Sequence, residues 1–149
     1  MTTILLWLAL SHMPVAPATV TLAACPAYLP DRWSCYDPSA ATVYLEPSEA
    51  QPRKVLFHEE GHAFDALALK AGDRRRLLPL LGFSRRTPWD WTGDVHDEAV
   101  PDPPAELFAD AYATCALGVR VHFYATRPTK PAVCRLIRRV HAGRPIHAT

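Results

Sequence analysis

The sequence has almost no net charge, no internal repeat and no long apolar run, and each absence excludes a class of function. Its 16 lysine and arginine residues nearly balance 15 aspartate and glutamate residues, which leaves a formal net charge of +1 at pH 7. This balance creates no field strong enough to indicate a nucleic-acid or membrane-surface partner. No apolar run reaches the roughly 20 residues of a membrane-spanning helix, and no fixed period indicates a repeat architecture. The sequence therefore predicts no nucleic-acid partner and no stable membrane span.

The chain length predicts one domain preceded by a short N-terminal segment. With 149 residues, 49% of them apolar, the chain can bury a real core but has little room for a second module. We assign residues 19–149 to the domain and residues 1–18 to the N-terminal segment. Residues 4–10 resemble the apolar core of an export signal, but no lysine or arginine precedes them. Residues 22–25 also resemble a bacterial lipobox. The alternating side chains of residues 19–24 argue against a lipobox, because they are typical of a strand.

The four cysteines indicate the redox compartment. None forms a C-x-x-C pair, so a four-cysteine zinc site has little support. The spacing favours two disulfides, Cys25 with Cys35 and Cys115 with Cys134, and reduced core cysteines are the alternative. The second bridge would close a loop of roughly 20 residues and contribute about 3 kcal/mol under oxidising conditions. Paired cysteines would favour an extracellular or virion-associated location, and reduced cysteines a cytoplasmic one.

An H-E-x-x-H box is the most informative motif in the chain. It spans residues 58–62, inside a stretch at 55–70 that we predict to be helical. One helical turn separates His58 from His62, so both imidazoles can bind one zinc ion while Glu59 lies beside them as a base for water. The surrounding apolar residues would bury most of this helix, and an unpartnered buried polar group costs about 2–7 kcal/mol. Metal coordination is therefore favoured over a chance match whose histidines are only solvated or hydrogen-bonded.

Gly61 lies inside the box, where it should weaken the helix. Glycine costs about 1 kcal/mol relative to alanine in a helix interior. We therefore expect another group to approach closely at Gly61, such as a substrate or another strand. A neutral, tolerated glycine is the alternative.

The third zinc ligand must come from outside the box. A third-histidine layout needs glycine three residues and histidine six residues after His62, but Asp65 and Ala68 occupy those positions. A carboxylate farther along the chain remains. Glu106 lies 44 residues downstream of His62, and we predict that it is the third ligand.

Glu106 belongs to a second predicted helix, at residues 104–118. Prolines stand at the start of this stretch and a glycine at its end, which is the usual punctuation of a helix. Asp110 follows Glu106 by four residues and shares its face of the helix. With Glu106 on the metal, Asp110 can accept the free ring N–H of a ligand histidine and hold its orientation.

Two longer strings carry a specific resemblance to a known family. H-E-E-G-H-A-F-D at residues 58–65 and A-E-L-F-A-D-A-Y at residues 105–112 resemble the gluzincin zinc peptidases. They are most similar to the catalytic domain of the anthrax lethal factor family and to small predicted peptidases of bacteria and their phages. The resemblance covers roughly the middle third of the chain. It implies a compact α+β, zincin-like domain, in which a small sheet packs on the H-E-x-x-H helix and a second helix carries the glutamate.

The resemblance also implies a role for each matching residue. One Zn²⁺ ion would be bound by His58, His62 and Glu106. Glu59 would be the general base, and Asp110 would orient a ligand histidine.

One position departs from the family pattern. Enzymes of the lethal factor type have a tyrosine about two helical turns before the glutamate ligand, where it stabilises the oxyanion, but this chain has Ala99 in that region. His96 is the nearest side chain that could substitute for it. Tyr112 is less suitable because it points about 240° around the helix from Glu106. Surface or packing roles are the alternative for both, and a missing donor would weaken catalysis by roughly 10²–10³.

The remaining pattern predicts two strands and two further helices. The strands lie at residues 19–24 and 42–46, and the helices at 73–81 and 131–142. Residues 41–45 are our candidate for an edge strand that pairs with extended substrate. A buried structural strand is an equal alternative.

A long connection at residues 82–103 should bring Trp89, Trp91 and His96 between the two metal-binding helices. Long loops of this kind are often functional, so the connection could form a wall of the substrate cleft. Aromatic residues that cap a satellite core are the alternative.

These observations predict a zinc-dependent endopeptidase that acts on a protein or peptide substrate. A non-catalytic, zinc-stabilised domain that binds a partner peptide is one alternative. A disulfide-stabilised virion or surface protein without metal is another.

Overall fold

Three of the four α-helices that the computed structural model describes from end to end begin at a proline. The model describes residues 8, 11, 13–28, 33–89, 103–124 and 128–142. The helices are α1 (Pro52–Ala68), α2 (Ala71–Leu81), α3 (Pro104–Leu117) and α4 (Pro131–Ala142). Proline suits the first turn, because its missing N–H has no partner there and its φ angle is already helical.

The helix predictions agree with the structure to within a few residues. Helix α1 starts three residues before the predicted position 55 and stops two before position 70. Helix α3 ends at Gly118, whose φ of 68° is the left-handed conformation that glycine adopts readily. Gly82 ends α2 in the same way, with a φ of 100°.

A small sheet of three short strands completes a mixed α+β domain. The strands are β1 (Thr19–Thr21), β2 (Cys35–Asp37) and β3 (Thr42–Tyr44), in the spatial order β1-β3-β2. Strand β1 runs parallel to β3, and β2 runs antiparallel to it. Both predicted strands are therefore present but shorter, and β2 was not predicted at all.

The central position of β3 corrects one prediction. Residues 41–45 were expected to form an edge strand, but β3 pairs with β1 on one side and with β2 on the other. Its backbone groups are used within the sheet. Because Val43 is fully buried, the alternative of a buried structural strand is the one that the structure supports.

The core lies between α1 and α3, which make the most extensive contact between any two described elements. Large apolar side chains on both helices are fully buried there, among them Leu56, Phe57, Phe64, Phe108 and Tyr112. Gly61 lies at the crossing point, where an added Cβ would be only 2.8 Å from Cα of Ala109. The close approach predicted at Gly61 is thus made by helix α3, rather than by a substrate or a strand.

Part of the N-terminal segment packs into this core. Met13 and Ala16 are buried, and the Ala16 N–H donates to Oε2 of Glu60 at 3.2 Å. The Tyr112 hydroxyl donates to the carbonyl of Pro14. These contacts hold residues 13–16 against α1 and α3.

Both predicted disulfides are confirmed. Cys25 is bonded to Cys35 and Cys115 to Cys134, each pair with Cα atoms 5.5 Å apart. The second bridge joins α3 to α4, and the first joins Cys25, which follows β1, to the first residue of β2. Two disulfides are consistent with an extracellular location. Within the described ranges, no helix combines the length and apolarity needed to cross a bilayer.

Candidate metal centre

Helix α1 places His58 and His62 one turn apart with their rings facing the same point. The ring centroids lie 4.9 Å apart, and the two Nε2 atoms are 3.2 Å apart. His58 is buried, whereas the His62 side chain keeps 21% of its surface exposed. His58 therefore lies on the core side of the pair and His62 on the solvent side.

Helix α3 brings Glu106 to the same point. Its Oε2 atom lies 3.2 Å from Nε2 of His58 and 3.3 Å from Nε2 of His62. Among the residues that the structure describes, this is the group whose donor atoms could hold a metal ion. The Glu106 side chain is 24% exposed, so the group opens onto solvent.

The spacing of the three donor atoms fits a tetrahedral metal. Zinc bonds of about 2.0–2.1 Å at tetrahedral angles separate neighbouring ligand atoms by roughly 3.3 Å. The observed separations are 3.2, 3.2 and 3.3 Å. Two imidazoles and one carboxylate are also a donor set that zinc favours.

Asp110 is fully buried and connects the centre to the next segment of chain. Its Oδ1 atom lies 3.0 Å from Nδ1 of His58, and its Oδ2 atom accepts the N–H of Tyr124 at 2.7 Å. When Nδ1 of His58 carries the proton and donates it to Asp110, Nε2 keeps its lone pair. That lone pair then faces the carboxylate of Glu106, an arrangement that favours a cation between them.

The electrostatics of the metal-free group agree with a centre built for positive charge. Burial lowers the pKa of His58, but its hydrogen bonds with Asp110 and Glu106 outweigh burial and raise that pKa to about 9. Burial raises the pKa of Glu106, yet the hydrogen bonds and charges of the two histidines hold it well below its ordinary value. Without metal, the neighbouring carboxylates therefore favour a positive charge on His58, and the histidines favour a negative charge on Glu106.

Glu59 lies beside this group under the sheet. It is buried, and burial raises its pKa, although His62 and His58 act in the opposite direction. The backbone N–H of Tyr36, in β2, also hydrogen-bonds to this carboxylate. A buried carboxylate with a raised pKa is a stronger base than one in water.

Two aromatic residues beside the metal group, Phe123 and Tyr124, were not predicted from the sequence. The rings of Phe123 and Tyr124 lie 5.4 and 5.7 Å from the ring of His58, centroid to centroid. Phe123 stands edge-on to that ring and Tyr124 is stacked on it. The sequence signal that could have found them is an adjacent pair of aromatic residues soon after Gly118, the glycine at the end of α3.

Trp89 has a packing role, which is the alternative given above for the aromatic residues of the connection at residues 82–103. It is buried against Phe108, with ring centroids 5.7 Å apart, and its Nε1–H donates to Oδ2 of Asp65 at 2.7 Å. Trp91 and His96 lie outside the described residues, so the oxyanion role of His96 stays a prediction.

Tyr112 lies in the core and away from the metal group. Its ring packs against Phe64 and Phe108, and its hydroxyl donates to Pro14. The structure thus supports the packing alternative for this tyrosine.

Comparisons with protein-family models, with curated proteins and with solved structures give no match to this chain.

Proposed function

We propose that the protein is a zinc-dependent endopeptidase with a zincin-like, gluzincin-type centre. The observation that carries the proposal is the convergence of two imidazole nitrogens and one carboxylate oxygen at separations of 3.2–3.3 Å. The buried carboxylate of Glu59 beside them supports a hydrolytic centre over a structural one, because a structural ion needs no base.

The ligands would be His58, His62 and Glu106. When bound, zinc supplies Lewis acidity, which lowers the pKa of water to about 7 and polarises a carbonyl group. The partial exposure of His62 and Glu106 would leave the solvent side of the group open to water or substrate.

Glu59 would take a proton from the attacking water and return it to the leaving amine. Burial keeps the pKa of this carboxyl raised, so it accepts the proton more readily than an exposed glutamate. The N–H of Tyr36 holds the carboxylate in place. Since water attacks the amide directly, no covalent intermediate with the protein forms.

Asp110 would orient the centre. Its hydrogen bond to Nδ1 of His58 selects the tautomer whose Nε2 can bind a metal. Because Asp110 lies one turn after Glu106 on α3, the same helix positions the ligand glutamate and the aspartate that orients His58.

Strand β2 is the candidate for backbone pairing with an extended substrate, in place of residues 41–45. Within the described ranges β2 pairs with β3 on one side only, and its Tyr36 contacts Glu59. A peptide added along β2 would therefore run past the general base.

Metal content and cleavage of a peptide library test the proposal. We expect one zinc per chain by elemental analysis and cleavage by the wild-type protein. Glu59→Gln should keep the metal and lose turnover, whereas His58→Ala should lose the metal itself. Glu49→Gln, outside the centre, should behave as the wild type does.

The outcomes separate the competing functions. Bound zinc without cleavage of any peptide would favour a zinc-stabilised peptide-binding domain. Absence of stoichiometric metal would favour a disulfide-stabilised surface protein. Cleavage by Glu59→Gln at the wild-type rate would overturn the role of Glu59.

A further inference from the structure

Phe123 and Tyr124 form an aromatic wall beside the metal group. Both rings contact the ring of His58, with centroid distances of 5.4 and 5.7 Å. His58 is buried, yet Phe123 remains 41% exposed and Tyr124 37% exposed. Each ring therefore has one side against His58 and much of its remaining surface open to solvent.

The aromatic wall is anchored to the helix that carries Glu106. The N–H of Tyr124 donates to Oδ2 of Asp110 at 2.7 Å. Thr114 binds the start of the segment twice: its hydroxyl accepts the N–H of Val121 at 2.9 Å and donates to the Val121 carbonyl at 3.3 Å. These bonds tie the segment that carries the rings to helix α3, and a ligand site needs such supporting contacts to hold its side chains in place.

Shielding His58 alone does not account for the exposure of the two rings. A packing role would be served best by burying both rings, since each can remove 150–250 Å² of surface from water. Exposed aromatic surface next to a reactive centre is instead typical of a ligand site, where apolar walls surround a few polar groups.

We propose that the aromatic wall is the subsite that selects an apolar or aromatic side chain of the substrate next to the scissile bond. This inference rests on the proposed peptidase function and deepens it. Consecutive residues of an extended peptide are about 3.3–3.6 Å apart. A peptide with its scissile carbonyl at the metal group therefore places a flanking side chain within reach of rings that touch His58.

A series of peptides tests this subsite. The peptides differ at one residue flanking the scissile bond, which is Phe, Leu, Ala or Asp. We expect the wild-type protein to prefer Phe and Leu over Ala by roughly 10–200-fold in kcat/KM, the range that apolar pockets achieve. Phe123→Ala and Tyr124→Ala should reduce this preference about tenfold, mainly through KM. Tyr124→Phe should retain it because the ring remains.

Leu67→Ala is the matched control. Leu67 is also an apolar residue with 45% exposure, but it lies nine residues after His58 on α1, half a turn away from the metal face. Its replacement should leave the side-chain preference unchanged.

Binding measured without turnover gives a second readout. Zinc-loaded Glu59→Gln protein is titrated calorimetrically with the same peptides, and the affinities should follow the same order. Adding Phe123→Ala should weaken binding of the Phe peptide about tenfold and leave the zinc content unchanged.

Other outcomes overturn distinct claims. Equal cleavage of all four peptides would overturn the subsite and leave the peptidase intact. Loss of preference in Tyr124→Phe would assign the effect to the hydroxyl and overturn a role for the ring. Loss of zinc from Phe123→Ala with the preference retained would show that the wall only supports His58. Absence of both cleavage and binding would overturn the proposed function itself.

Discussion

Gly61→Ala tests whether the metal centre depends on the close approach of α1 and α3. A Cβ at this position would lie 2.8 Å from Cα of Ala109 and 3.2 Å from its Cβ and its carbonyl oxygen. Ordinary contact begins near 3.4 Å, so the backbones would have to separate by about 0.6 Å, the difference between 3.4 and 2.8 Å. Backbone atoms cannot rotate out of the way as a side chain can.

Two free energies compete in the stability of this variant. Overpacking a close contact costs about 1–3 kcal/mol, whereas alanine regains about 1 kcal/mol of helix propensity. We expect a net loss of about 1 kcal/mol in the free energy of unfolding of the metal-free protein. Denaturant titration in the presence of a chelator measures it.

The affinity for zinc should respond more strongly than the stability. Metal–ligand distances are maintained to within about 0.2 Å in working sites, and a separation of about 0.6 Å exceeds that tolerance. Because His58 and His62 lie on one helix and Glu106 on the other, zinc affinity should fall at least about tenfold. Competition with a fluorescent chelator measures this change.

Gly72→Ala is the control for the general effect of removing a helical glycine. An added Cβ at Gly72 would meet nothing within 4 Å, so the variant should gain about 0.4–1 kcal/mol and keep its zinc affinity. If Gly61→Ala were as stable as Gly72→Ala and bound zinc as the wild type does, the helix crossing would not be what holds the ligands together.

Three further predictions test other parts of the structure. Asp110→Asn should lower zinc affinity by about 10–100-fold because His58 loses its charged partner; an unchanged affinity in the same competition assay would show that packing alone orients the ring. Burial raises the pKa of Glu60 from 4.5 to about 7. Its carboxyl therefore binds a proton more tightly in the folded state, and the protein loses stability as the pH rises from about 4.5 through 7. Glu60→Gln should therefore add up to about 3 kcal/mol at pH 8 and nothing at pH 4, and a pH-independent difference in denaturant titrations would refute the explanation. Replacing Cys115 and Cys134 with serine should cost about 3 kcal/mol of stability, and unfolding midpoints equal to those of the oxidised wild type would contradict it.

Features that depend on local spacing could be predicted from the sequence. A helix repeats every 3.6 residues, so residues four apart, such as His58 and His62 or Glu106 and Asp110, must share a face wherever the helix packs. Prolines and Gly118 mark the helix ends for equally local reasons. The cysteine pairs were predictable because each closes a short loop.

The second strand of the sheet was missed for a physical reason. Strand β2 (Cys35–Asp37) has only three residues, too few to display an alternating pattern. It exists because its backbone pairs with β3, and that pairing also decides that β3 is central. The contact of Tyr36 with Glu59 follows from this arrangement and has no signature in the local sequence.

By itself, the sequence determined which side chains share a helix face, where the helices lie to within a few residues, and which cysteines could pair, because these properties depend on neighbours along the chain. Only the tertiary structure decided that Glu106 meets both histidines, that Ala109 fills the space above Gly61, and that two aromatic rings stand beside the centre. Those contacts join residues far apart in the chain, and their geometry depends on how two helices cross, which is set by packing over the whole core.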